Sequence, residues 1–187
     1  MTPDLDHAFQ AIDAANACDP NLDNGQPANL LYGQRMTREQ EHLFPDASDV
    51  LRIACRGQHV ERWLLPRDAY PMDRAGYLAW RQEQGRRHAD RIAGIMADAG
   101  YGDDAIDQAR RMLTKQGLKR DDQVQALEDV ICFTFIRWYL GDFMTDHADK
   151  GVPRIIEKTA AKMSPANRAR ALHEFSMPDA LAQHFRD

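Results

Sequence analysis

From Val130 to Leu140 only Thr134 and Arg137 are polar. Leu127, Val130, Ile131, Phe133, Phe135, Ile136, Trp138, Tyr139 and Leu140 wrap every side of a helix predicted over about 123–143. A helix that is apolar all round must be covered by other elements, so this segment is predicted to lie at the centre of a core. The chain holds no run of eighteen apolar residues, and no membrane span is expected. The covering elements must come from the rest of the 187 residues, a length suited to one domain.

Those elements also read as helices. Leu5, Phe9, Ile12 and Ala15 follow the 3.6-residue period over about 4–17, and Cys18-Asp19-Pro20 stops them. Gly25 and Pro27 mark a polar loop over 21–29, followed by a helix over 30–44 that ends before Pro45. Asp46 is placed to cap a helix carrying Val50, Ile53, Gly57, Val60 and Leu64, which Pro66 closes. A long helix follows over about 74–99, with Gly100 suited to its C′ position. Asp103 or Asp104 caps the next one. Pro153, Ser164-Pro165 and Pro178 open three short helices near the C-terminus. The expected fold is all-α: one compact domain over residues 1–187, with about seven to nine helices.

Three distant cysteines, Cys18, Cys55 and Cys132, form no CxxC pair, so neither a disulfide framework nor a thiolate zinc site is suggested. The acidic start, Thr2-Pro3-Asp4-Leu5-Asp6, lacks the basic-then-apolar order of a signal peptide. A cytoplasmic protein with reduced thiols is expected. The net charge of −5 argues against a protein that coats duplex nucleic acid. Residues 51–91 nevertheless hold nine arginines, no lysine and five acids, a local +4 in a chain whose remainder is −9. Such a block either forms solvated, paired helix faces or serves a confined small anion.

Three positions carry the chemistry most readily. On a continuous helix Arg52, Arg56, His59 and Trp63 share one face, so His59 would lie beside two guanidinium groups that keep it neutral. His88 falls on a stripe with Tyr77, Trp80 or Arg81, Gln84, Ile92 and Ile95, and is predicted to face inward. Asp129 shares its stripe with Cys132, Phe133, Ile136 and Leu140, about two turns into its helix, where the macrodipole no longer explains a carboxylate. Buried there, it needs a cation, an arginine or a proton. The loop Pro66-Arg67-Asp68-Ala69-Tyr70-Pro71 interleaves arginine, tyrosine and proline between the two histidine helices. It either pairs its own charges or presents Arg67 at the mouth of a pocket.

The order Gln58-His59, then His88-Ala89-Asp90-Arg91, then Gly100-Tyr101, then Leu127-Glu128-Asp129 resembles the HD-domain superfamily of all-α metal-binding proteins. Ala11 to Ala17, Gln58 to Trp63, Pro66 to Arg81, Leu127 to Val130 and Lys158 to Ser164 look like a family described only as domain of unknown function 4202. The HD resemblance implies His59, His88 and Asp129 as ligands to one divalent ion (Mn, Fe, Co, Ni or Zn), with Glu128 taking a proton. Val60 stands where such a site has an aspartate after the histidine, and no histidine opens the 30–44 helix, where Tyr32 and Arg35 lie.

Two functions therefore stay open beside a third option, a structural or oligomerising role alone. One is a metal-dependent hydrolase of a small phosphorylated or nucleotide substrate. Arg52, Arg56, Arg62 and Arg67 would hold the anion, and Trp63 or Tyr70 would stack on a base; an iron oxygenase is its variant. The other is a catalytically degenerate HD-like module that binds a small anion or a protein partner without metal.

Overall fold

The computed structural model describes residues 2–146 and 151–186. It is all-α, with a single two-strand β-ribbon among the described residues. The helices are α1 (Leu5–Asn16), α2 (Ala28–Leu43), α3 (Asp49–Arg56), α4 (Arg74–Asp98), α5 (Asp103–Leu113), α6 (Asp122–Trp138), α7 (Leu140–Asp146), α8 (Val152–Lys162), α9 (Pro165–Glu174) and α10 (Asp179–Ala182). Ten among the described residues is one more than expected, because the helix predicted over 123–143 breaks at Tyr139 and restarts as α7. No helix of the described residues is long and apolar enough to cross a membrane.

The helix starts follow local chemistry. Asp4, Ser48, Asp73, Asp121 and Ser164 each accept a first-turn backbone N–H through their side chains. Pro153 and Pro165 occupy first-turn positions, where a missing N–H costs nothing. Gly100, at φ +83°, follows α4 in the left-handed conformation that the sequence predicts for it.

The chain divides into two compact units, residues 1–117 and 118–187. In the first, α1 packs on α2, α3 and α4, α2 packs on α3, and α5 packs on α3 and α4. Ile12, Met36, Ile53, Ile92, Met96 and Met112 are fully buried there. The polar loop before α2 folds as a ribbon pairing Leu22–Asp23 with Gln26–Pro27, turned by Asn24 and Gly25 at positive φ. Asp19 ties it down by accepting from the backbone and side-chain amides of both Asn21 and Asn29.

In the second unit α6 packs on α7 and α8, and α8 contacts α10 and the 3-10 turn over 183–185. Val124, Leu127, Val130, Phe133 and Ile136 of α6 are buried, as its apolar run predicts.

The helix expected to continue through His59 to Leu64 stops at Arg56. Gly57 is its cap. A Cβ at that position would stand 2.2 Å from Cδ1 of Ile92, so α3 meets α4 through the bare glycine backbone. The chain then turns over 57–61, and Glu61 takes a left-handed conformation at φ +51°. The buried Asn16 side chain accepts the Glu61 N–H at 3.0 Å and holds that turn to α1.

Candidate anion site around His59, His88 and Arg62

Because α3 ends early, Arg52, Arg56, His59 and Trp63 do not form one helical stripe. Arg56 turns to α1 and makes a two-pronged ion pair with Asp13, at 2.7 and 2.5 Å, while also donating to the Thr37 hydroxyl. Arg52 donates to the Pro45 carbonyl and lines a separate cleft. Arg67 donates to the carbonyls of Tyr70, Pro71 and Asp73, so its guanidinium closes its own loop. Trp63 and Tyr70 are half-buried.

His59, His88 and Arg62 do come together. His59, on the 57–61 turn, stacks on Tyr32 of α2, with ring centroids 4.0 Å apart and planes at 19°. Its ring lies 6.0 Å from that of His88 on the inner face of α4. Arg62, on a 3-10 turn over 62–64, places its guanidinium 4.6 Å above the Trp80 ring. Gln84 donates to the carbonyls of Arg62 and Leu65, and the Trp80 indole also donates to Leu65, which clamps the turn onto α4.

Both imidazoles are held neutral. Burial pushes His59 well below its ordinary value, and the positive charge of Arg62, with smaller effects of His88, Lys115 and Arg81, adds to it. Burial and then Arg62 lower His88 to about 3, against a hydrogen bond to the Gln58 backbone. Nε2 of His88 is buried without a hydrogen-bond partner. Burial also lowers Arg62, with Arg81 acting in the same direction. Neither arginine has an acidic partner among the described residues.

Asp129 and Glu128 belong to the second unit. Asp129 is buried and fully engaged. One carboxylate oxygen accepts from Gln125 Nε2 and the Ser164 N–H, and the other from the Ser164 hydroxyl and Asn167 Nδ2. These four donors satisfy the buried carboxylate, and they join α6 to the start of α9. Glu128 is buried with Lys162 Nζ 3.5 Å from one oxygen. Among the described residues no group of three or more His, Cys, Asp and Glu side chains is gathered as a metal site needs.

A model of the family described as domain of unknown function (DUF4202) matches residues 6–184. The chain belongs to that family. Comparison with curated proteins and with solved structures found no match.

In this DUF4202 chain, the sequence singles out His59, His88 and Arg62, which the fold brings near one another, but not the groups that contact them. Trp80 and Gln84 were visible as the positions eight and four residues before His88 on one helical stripe, where they read as packing. Tyr32 and Asn16 carried no local signal. Their roles arise from contacts with residues 27 and 45 positions away.

Proposed function

We propose that this protein binds a small anion at the His59, His88 and Arg62 centre, as an HD-like binding module that does not require a metal. The observation that carries this reading is Arg62. Its guanidinium is half-buried, lies on Trp80, and has no carboxylate to balance it among the described residues. An uncompensated charge in such a place is costly unless a counter-ion arrives. The nearby histidines add hydrogen-bonding capacity without adding charge, and the exposed Arg81, which contacts Tyr77, adds a second cation that has no acidic partner among the described residues. Trp80 presents its ring to Arg62, and a guanidinium fork suits an oxyanion with two accepting oxygens.

The test is calorimetric titration of the full chain with inorganic phosphate. The native protein should bind it, and Arg62→Ala should weaken binding at least tenfold while leaving the far-ultraviolet circular dichroism unchanged. Equal affinity in native protein and variant, or no binding by either, overturns the reading.

A metal-dependent hydrolase, or its iron-oxygenase variant, is the second reading. The bare, buried Nε2 of His88 favours it, since a neutral imidazole nitrogen is also a metal ligand. His59, His88 and Asp129 would hold the ion and Glu128 would take a proton. Asp129 would have to give up hydrogen bonds to do so. Elemental analysis of untagged protein decides this. Stoichiometric Mn, Fe, Co, Ni or Zn that is lost in both His59→Ala and Asp129→Ala supports the hydrolase. Metal-free protein, or metal retained in both variants, excludes this ligand set.

A further inference from the structure

Arg52, which the sequence groups with His59, opens onto a different part of the first unit. A cleft of about 380 Å³ lies where α1, α2 and α3 meet. Leu5 and Phe9 of α1, together with Pro45, form its apolar walls. Thr37, Gln40 and Glu41 of α2 and Arg52 of α3 supply its polar groups. The volume suits a small molecule.

Two of these polar groups are already committed. The Thr37 hydroxyl donates to the Gly33 carbonyl and accepts from Arg56, and the Gln40 amide donates to the Phe44 carbonyl. The other two are charged and open. Arg52 is anchored by one Nη2 bond to the Pro45 carbonyl at 3.1 Å, while its Nε is buried with no acceptor. Glu41 is exposed and makes no ion pair among the described residues. The two opposite charges line one cleft without pairing to each other.

We infer that this cleft binds a zwitterionic α-amino acid with an apolar side chain: Arg52 takes the carboxylate, Glu41 takes the ammonium, and the side chain lies on Leu5, Phe9 and Pro45. A carboxylate matches the guanidinium fork through the Nη donors that the single bond to Pro45 leaves unused. A plain anion would leave Glu41 facing it with like charge, and a plain cation would meet Arg52. A ligand carrying both charges satisfies both groups at once. The inference is independent of the His59 centre, which shares none of the residues lining this cleft.

The experiment is calorimetric titration of the full chain with L-leucine. Two analogues accompany it: 4-methylpentanoate, which lacks the ammonium, and 3-methylbutylamine, which lacks the carboxylate. Leucine should bind at least tenfold more tightly than either. Arg52→Ala should abolish leucine binding. Glu41→Gln, an exposed change that leaves the core untouched, should erase the advantage of leucine, so that leucine and 4-methylpentanoate bind the variant equally. Absence of leucine binding at millimolar concentration overturns the inference. So does 4-methylpentanoate binding as well as leucine, or leucine affinity that survives Glu41→Gln.

Discussion

Asp129 accepts both the backbone N–H and the hydroxyl of Ser164, at 2.8 and 2.7 Å, one on each carboxylate oxygen. The same hydroxyl then accepts the Asn167 N–H at 3.3 Å as the N-cap of α9. A buried carboxylate on α6 thus orients the residue that starts another helix, so its charge has a structural use. Asp129→Ala is expected to destabilise the protein by about 3 kcal/mol, because it removes charge-assisted hydrogen bonds and leaves buried donors unpaired. Urea denaturation followed by circular dichroism measures this. A loss under about 1 kcal/mol would show that the network is replaceable by water.

Asn16 governs the His59 turn without touching its rings. Its Oδ1 accepts the N–H of Glu61, the residue whose left-handed conformation redirects the chain toward Arg62. Asn16→Ala should cost about 1–2 kcal/mol of stability, the penalty for an unsatisfied buried donor. It should also weaken phosphate binding, since Arg62 follows directly after the released turn. Chemical denaturation and calorimetry on the same preparation check both effects. Intact phosphate affinity would show that Gln84 and Trp80 position Arg62 without help from α1.

His88 gives the protein an acid-sensitive term. Its ordinary value of 6.5 holds in the unfolded chain, against about 3 in the folded one. Between those values the unfolded state binds a proton that the folded state refuses, so acidification favours unfolding. The stability contribution is complete above about pH 6.5, and is lost as pH falls toward 3. His59 acts in the same direction. Between pH 7 and 5 the native protein should lose about 2 kcal/mol more than His88→Gln. Urea midpoints for both proteins at the two pH values test this, and parallel losses would contradict it.

Two glycines should respond differently to a methyl group. At Gly76 a Cβ would stand 2.1 Å from the Pro71 carbonyl oxygen, part of a backbone that Arg67 already grips. At Gly57 the clash is with the far end of the Ile92 side chain, which can rotate. Gly76→Ala should therefore cost about 3 kcal/mol and Gly57→Ala about 1 kcal/mol. Thermal unfolding ranks them. The reverse order would mean that Ile92 has no alternative rotamer in its core.

The sequence by itself determined the helical class and most helix limits, because apolar spacing, capping side chains and prolines act within a few residues of one another. It also placed His88 inward, since the α4 stripe is a local property of that helix. What only tertiary structure decided depends on distant partners. Nothing near Gly57 in the sequence shows that the Ile92 side chain packs against its bare backbone, or that Asn16 captures the Glu61 N–H. Those two contacts end α3 early and separate His59 from Arg52 and Arg56. The choice of partner for each charge was hidden for the same reason. Arg56 finds Asp13, Asp129 finds Ser164 and Asn167, and Arg62 finds the face of Trp80 and no carboxylate among the described residues. An arginine block in a sequence states how much charge is present. Only the folded chain decides which charge is left without a partner.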